Sequence, residues 1–342
     1  MKREQLPRVL RGERLSREET RDVVRAMVRG ELTDDQIAAF LRAVAERGET
    51  GEEMLGGAEA LRAEAVPFSS GRETILDTCG TGGDQANTFN ISTAAALVAA
   101  AAGVAVAKHG NRSVSSRCGS ADVLEALGAR IDLGPDGAAR ALEDTGFTFL
   151  NARVFHPAMR HVAKARSELG IRTLFNWLGP LSNPARATHQ LLGVSDRSKM
   201  AIVADVLRRL GVRRALVVHG AGGLDELSLA DGNTAQESGP GGVGAAWAID
   251  ARSLGLAEAP IEALRGGDPT ENAKIIRAIF AGERGPRRDA LVLNAAAALW
   301  IAGAAPALED AVSLAAEQID SGRAKSLLER FVAVSQELAR DL

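Results

Sequence analysis

The chain has little cysteine, no long hydrophobic run and no surplus of charge of either sign. Its two cysteines, Cys79 and Cys118, stand far apart and make no metal-ligand spacing. That pattern fits a reduced, cytoplasmic compartment. The formal net charge is −3, without the basic excess that duplex-binding proteins use to neutralise phosphates, so no nucleic-acid partner is expected. The longest apolar run, residues 94–107, is mostly alanine and falls short of the ~20 residues of a membrane span. No membrane partner is expected either. The first residues, MKREQLPRVLRGERLSREE, lack the apolar core of a signal peptide. The sequence shows no internal repeat and no low-complexity linker.

What is present is ordinary for a globular protein: 342 residues, 25% charged and 46% hydrophobic, enough to bury a large core in one or two domains. Residues 1–66 read as helices. The pairs Ser16–Glu19, Thr33–Gln36 and Thr50–Glu53 each offer a hydroxyl to a free amide at a helix start and a side chain that reaches back. Val23, Val24, Met27 and Val28 recur on one face, as do Ile37, Phe40, Leu41 and Val44. From residue 74, β-prone runs alternate with helical stretches, at Thr74–Leu76, Val104–Ala107, Phe147–Leu150, Gln190–Val194 and Ala215–Val218. Such alternation predicts a parallel α/β sheet. The tail from about residue 271 reads as helices again, with Ala290–Ile301 apolar enough to be buried, and Gly239–Gly244 reads as a surface turn. A helical segment joined to an α/β segment is the coarse architecture.

Two motifs stand at the ends of adjacent predicted strands. The run TIL (74–76) leads into DTCGTGGD (77–84), and VAVA (104–107) leads into KHGNRSVSS (108–116). Between them NIST (90–93) opens an alanine-rich helix that Gly103 closes. A right-handed crossover makes the two strands parallel and brings both motifs to the carboxyl edge of the sheet, where open α/β proteins bind ligands. Gly80, Gly82 and Gly83 let backbone amides approach an anion, and the helix start adds oriented amides and a positive dipole end. Lys108 and Arg112 supply charge; Ser113, Ser115 and Ser116 supply hydroxyls. Neither a GxGxxG fingerprint nor a GK[ST] loop is present. The pairing of a glycine loop with a cationic, serine-rich one still favours a crevice for several phosphate groups.

A third strand, Leu216–Val218, runs into HGAGGLDELS (219–228). Asp225 and Glu226 there are either Mg²⁺ ligands, completed by substrate phosphate oxygens and water, or a helix-start acidic pair complementing a dipole. Spacing alone leaves both readings open.

With these residues in view, the chain resembles the anthranilate phosphoribosyltransferase family, of the nucleoside phosphorylase and phosphoribosyltransferase structural group. The resemblance rests on DTCGTGGDQANTFNIST (77–93), KHGNRSVSSRCGSADVLEALG (108–128), HPAMRHVAKARSELGIRTLFNWLGPLSNPA (156–185) and HGAGGLDELS (219–228). It implies an α/β fold in which a small helical domain (1–70, with a contribution from about 157–190 at the hinge) is hinged to a larger domain (71–342) with a mainly parallel central sheet. It implies a homodimer through the helical domain. It also implies Mg²⁺, and two small-molecule substrates, phosphoribosyl pyrophosphate and anthranilate. The first substrate would meet Gly80, Gly83, Asp84, Thr88, Asn90, Ile91, Ser92, Thr93, Lys108, His109, Gly110, Asn111, Arg112, Ser113, Val114, Ser115, Ser116 and Ser120. Ser92, Asp225 and Glu226 would hold metal. Anthranilate would meet Gly80, Asn111, His156 and Arg166, with His109 the one candidate for a catalytic role. The chain departs from the family pattern at Trp177 and Ser182, where leucine and threonine are usual.

The chemistry of the residues agrees with this implication. Loss of pyrophosphate from C1 of ribose builds positive charge on the sugar and negative charge on the leaving group, which amides, lysine and metal stabilise. The aniline nitrogen is neutral at pH 7 and needs orientation more than activation. A pyrimidine nucleoside phosphorylase shares the architecture but needs only a nucleobase pocket and one phosphate, which the NIST segment and the acidic pair fit less well. A non-catalytic nucleic-acid-binding relative would need a basic groove, and the net charge of −3 argues against one; titration with single-stranded DNA at two salt concentrations separates that class.

Overall fold

The computed structural model describes residues 5–113 and 117–340. The first helices are α1 (Gln5–Leu10), α2 (Arg17–Val28), α3 (Asp34–Arg47) and α4 (Gly51–Glu64). All three expected capping boxes form, with Ser16, Thr33 and Thr50 accepting from the amides of Glu19, Gln36 and Glu53. The apolar stripes of α2 and α3 are buried as their spacing requires.

The chain then builds β1 (Leu76–Gly80), α5 (Ile91–Ala101), β2 (Val106–Gly110), α6 (Ser120–Ala126), α7 (Pro135–Thr145), β3 (Phe147–Asn151) and α8 (Ala152–Phe155). Helices α9 (Arg160–Leu169) and α10 (Leu174–Leu181) precede β4 (His189–Gly193), α11 (Met200–Arg209) and β5 (Arg214–His219). After β6 (Asn233–Gly239), β7 (Gly242–Val243) and β8 (Trp247–Ile249) come α12 (Pro269–Phe280), α13 (Pro286–Ile301), α14 (Leu308–Asp320) and α15 (Arg323–Leu338). The eight strands form one sheet in the order β3-β2-β1-β4-β5-β6-β7, with β8 also on β6. Strands β1 to β5 are parallel, and β6, β7 and β8 run antiparallel.

Alternate residues of β4 and β5 face opposite layers. Leu191, Leu216 and Val218 join a core with α5 and α13. Leu192, Val194, Ala215 and Val217 join a second core with α2, α3, α4, α10 and α11. This is the period-2 alternation of a strand buried on both faces. The second core carries the N-terminal helices onto the sheet through α10 and α11.

The carboxyl ends of two strands shift furthest from the sequence pattern. That pattern ends the first strand at Leu76 and the second at Ala107, whereas pairing extends them to Gly80 and Gly110. Asp77–Gly80 find partners on β4, and Lys108–Gly110 on β3, so ladder bonds satisfy peptides that a loop would leave open. The strands β6–β8 occupy a glycine- and alanine-rich stretch that carried no strand signal. The expected turn over Gly239–Gly244 shrinks to residues 240–241, because Gly239 ends β6 and Gly242–Val243 form β7. The Trp177 side chain is buried, and the Ser182 hydroxyl donates to the Gly179 carbonyl at 3.2 Å. Among the described residues no helix is long and apolar enough to cross a membrane.

Candidate active site

The carboxyl ends of β1, β4 and β5 lie side by side, with Gly80 paired to Gly193 and Gly193 to Val218. The segment after β5 folds back across them. A Cβ on Gly80 would stand 2.2 Å from Asp225 Oδ2, one on Gly193 1.6 Å from the Asp225 carbonyl oxygen, and one on Gly220 2.0 Å from that of Glu226. Glycine is required at these strand ends because the acidic segment occupies the space of a side chain. Asp225 Oδ2 accepts from Gly82 N–H at 2.6 Å, and Glu226 Oε1 accepts from Ser92 N–H at 3.1 Å. The acidic segment thus joins the glycine loop to the first turn of α5.

No helix begins at Asp225 and Glu226, and the next regular element is β6. The reading of the pair as the start of its own helix therefore fails, although Glu226 reaches the first turn of α5. Both side chains are half-buried rather than exposed. Burial pushes the Asp225 carboxyl well above its usual range, with the neighbouring Glu226 and Asp84 charges adding to the effect. Burial likewise raises Glu226 to about 7, with Lys108 opposing the rise. Among the described residues, no three His, Cys, Asp or Glu side chains converge as a finished metal site. The donor set still fits Mg²⁺, because two crowded carboxylates whose proton affinity stays raised beside Lys108 favour further positive charge, and Mg²⁺ takes one or two carboxylates plus phosphate oxygens.

Lys108 lies within β2, 2% exposed, and not on a loop as the motif suggests. Its ammonium donates to the Thr78 carbonyl and, at 3.3 Å, to Ser92 Oγ. Asp77, fully buried, accepts from His109 N–H at 3.3 Å and has its proton affinity raised by burial, with Lys108 opposing. Arg112 is tied to Asp122 at 3.1 Å and Glu125 at 2.7 Å on α6, so its charge is already matched. Ser113 N–H donates to Asp122 at 2.9 Å, and Ser120 Oγ to the Asn111 carbonyl at 3.4 Å. A Cβ on Gly110 would meet Ser120 Oγ at 2.1 Å. Asn90 precedes α5, which opens with Ile91, Ser92 and Thr93, while Thr88 forms a bridge to Arg265. Val114, Ser115 and Ser116 lie outside the described residues.

A second group lines the strip from α9 to Asn183. His109 Nδ1 lies 3.2 Å from the Gly179 carbonyl and His156 Nε2 lies 3.1 Å from that of Ser182. A carbonyl only accepts, so these nitrogens carry the protons. His109 Nε2 is then bare and, among the described residues, buried without a partner. The two rings stand 5.0 Å apart. Burial, with the neighbouring His156 next, lowers His109 to about 3. Burial lowers His156 to about 4. Both are neutral at pH 7. Arg166, on α9, stacks over Phe175 at 5.3 Å, and among the described residues it has no carboxylate partner.

Sequence reasoning missed Asp122, which braces the serine loop, and Arg172. The Arg172 guanidinium donates to the Gly82 carbonyl and to Ser195 Oγ at 3.2 Å and lies over Trp177 at 5.4 Å. Alone in sequence it resembles any surface arginine. A cavity of about 520 Å³ opens beside it, lined by Gly83, Asp84, Trp177, Ser195 and Lys199.

A helical bundle layered on a sheet whose strand ends hold glycine loops and paired acids defines a glycosyltransferase class. The pattern of the glycosyl transferase family, a/b domain, matches residues 72–325, and that of its helical bundle domain matches residues 3–65. Within that class, the chain belongs to the anthranilate phosphoribosyltransferase family. The anthranilate phosphoribosyltransferase of Moorella thermoacetica is 50% identical over 97% of this chain and 98% of its own. The crystal structure of the enzyme from Thermus thermophilus superimposes with a TM-score of 0.91 at 49% identity, covering 97% of this chain and 99% of its own. The enzyme from Saccharomyces cerevisiae, in complex with PRPP and Mg, matches with a TM-score of 0.86 at 27% identity, covering 94% of each chain. The yeast enzyme is also known in complex with 4-fluoroanthranilate.

Proposed function

We propose that the protein transfers the 5-phosphoribosyl group of phosphoribosyl pyrophosphate to the amino group of anthranilate, releasing pyrophosphate. This is the phosphoribosylation step of tryptophan biosynthesis. The observation that carries the reading is the convergence of the glycine loop, the start of α5, Lys108 and the Asp225–Glu226 pair at the ends of β1, β2, β4 and β5.

In this reading, Gly80, Gly83, Asp84, Thr88 and the Asn90–Thr93 turn surround the phosphates, and Lys108–Ser116 and Ser120 are assigned to the same substrate. Ser92, Asp225 and Glu226 hold Mg²⁺, which when bound neutralises pyrophosphate oxygens and aids their departure. The buried Lys108 ammonium lies 3.3 Å from Ser92 Oγ and acts on Glu226, so leaving-group charge develops against a fixed cation in a poorly hydrated setting. The half-buried Arg166 guanidinium pairs with the anthranilate carboxylate, while Gly80, Asn111 and His156 border the ring. The C1–oxygen bond to pyrophosphate breaks, the nitrogen–C1 bond forms, and the nitrogen then loses a proton. The N-protonated product is a strong acid, so a weak acceptor suffices. The bare Nε2 of the neutral His109 is assigned that role.

The helical residues 1–70, with 157–190, form the body that moves against the rest at the hinge. The second core joins α2–α4 and α10 but also takes in α11 and one face of β4 and β5, so the proposed boundary crosses a shared core. A cytoplasmic homodimer paired through the helical body belongs to the same reading.

The test is loss of anthranilate fluorescence on incubation with phosphoribosyl pyrophosphate and Mg²⁺, with the product identified by mass. Absence of phosphoribosyl anthranilate, while a control enzyme makes it under the same conditions, refutes the assignment.

A further inference from the structure

The two peptide groups on either side of the Gly82 Cα are each held, by groups of opposite charge. The Gly82 N–H donates to Asp225 Oδ2 at 2.6 Å. The Gly82 carbonyl accepts from the Arg172 guanidinium and from Ser195 Oγ at 3.1 Å. Ser195 in turn is fixed, since its N–H donates to Thr81 Oγ1 at 3.3 Å and its hydroxyl receives Arg172 at 3.2 Å. Thr81 N–H donates to the Gly193 carbonyl at 3.0 Å. The next residue leaves no slack, because a Cβ on Gly83 would stand 1.8 Å from Arg172 Nη1.

The other side of Arg172 rests on the hinge strip. Its guanidinium lies over the Trp177 ring at 5.4 Å, and Trp177 is buried in the core that includes α2, α3 and α4. The family pattern has leucine at position 177, which offers no flat face for a guanidinium. Gly82 and Gly83 both have positive φ, at 67° and 83°, and therefore have wide conformational freedom unless something outside the loop fixes them.

We infer that Arg172 is a positioning residue for the proposed reaction: it latches the glycine loop to the hinge strip and keeps the loop amides turned toward the phosphate crevice. The inference rests on the phosphoribosyl transfer reading for its kinetic part and on geometry alone for its structural part.

Amide hydrogen exchange and steady-state kinetics on R172A, R172K and the unmodified protein test it. In R172A the amides of residues 80–84 exchange at least tenfold faster while α10 and the rest of β1 keep their protection. The KM for phosphoribosyl pyrophosphate rises about tenfold or more, the range for loss of a charge-assisted bond, with the KM for anthranilate nearly unchanged. R172K keeps the charge but cannot span both acceptors or lie flat on Trp177, so it restores part of the affinity. Unchanged loop exchange in R172A overturns the latch whatever the activity. Loss of protection throughout α10, with both KM values raised alike, overturns it in favour of a purely structural arginine. Inactivity of the unmodified protein with accelerated loop exchange in R172A refutes the function while leaving the latch.

Discussion

Glu226 Oε1 accepts the N–H of Ser92 at 3.1 Å, joining the acidic segment after β5 to the first turn of α5 across 134 positions of chain. The contact places a carboxylate on the positive end of a helix whose amides are the natural anion site of the crevice. The acid itself fills that position. In the proposed reading, binding would exchange this internal carboxylate contact for contacts with metal and substrate phosphates.

Asp225→Asn/Glu226→Gln tests this exchange. The double variant should need much more Mg²⁺ for half-maximal activity, and the unmodified protein's own Mg²⁺ requirement should rise as pH falls through about 7, where Glu226 takes up a proton. Stability gives a second readout. Carboxyls whose folded proton affinity is raised contribute most below their unfolded pKa of ~4 and lose that contribution as pH rises through the folded value. Without ligand, the double variant should therefore melt at or above the unmodified protein's temperature at pH 8. An unaltered Mg²⁺ curve removes both residues from the metal site.

Arg166→Ala addresses the acceptor substrate. Arg166 stacks on Phe175 and meets no acid among the described residues, so its charge is available to a substrate carboxylate. The KM for anthranilate should rise roughly tenfold or more, with that for phosphoribosyl pyrophosphate nearly unchanged. An equal rise in both would assign Arg166 to the packing of α9 instead.

The histidine pair sets a pH dependence of opposite sign to that of the acids. Burial holds His109 near 3 and His156 near 4, against about 6.5 for an unfolded histidine. Between about pH 6.5 and 4 the unfolded chain binds protons that the folded chain does not, so stability falls as pH is lowered through that window. Melting temperature should fall less steeply in His109→Gln/His156→Gln than in the unmodified protein. Taking the difference between the two curves cancels the contribution of the acids. Parallel curves would show that the rings are not buried neutral.

The local features were legible in the sequence, and the long-range ones were not. The caps at Ser16, Thr33 and Thr50 and the stripes of α2 and α3 depend on residues within one or two turns, so spacing suffices to place them. Lys108 and Asp77 looked like loop residues because charge rarely survives inside a strand. They are held here because the Lys108 ammonium donates to Thr78 and Ser92 and the His109 amide donates to Asp77 Oδ1, while Asp77 keeps a raised proton affinity. The antiparallel-paired strands β6–β8 escaped notice because their stability comes from pairing, of β6 with β5 and of β7 and β8 with β6, not from their own glycine-rich composition. Arg172 and Gly82 are 90 positions apart, and no local pattern connects them. Gly193 was equally silent, a lone glycine ending an apolar run.

Gly193→Ala tests whether the crossing of the acidic segment over the strand ends is essential. Gly193 sits in the middle of the sheet, paired with Gly80 on one side and Val218 on the other, so its own backbone has no room to retreat. A Cβ there would stand 1.6 Å from the Asp225 carbonyl oxygen, 2.3 Å from its carbonyl carbon and 3.1 Å from its Cα. The acidic segment must therefore lift, breaking the 2.6 Å bond from Gly82 N–H to Asp225. A shift near 1 Å in a positioning group costs about a hundredfold in rate, and overpacking costs about 1–3 kcal/mol in stability. Gly193→Ala should lose about a hundredfold in kcat/KM with a modest fall in melting temperature. Gly241→Ala, in the turn between β6 and β7 where a Cβ meets nothing within 4 Å, is the matched control and should leave both unchanged. Full activity in Gly193→Ala would mean that Asp225 can leave its place above β4 without consequence, and the acidic pair would lose its assigned position in the site.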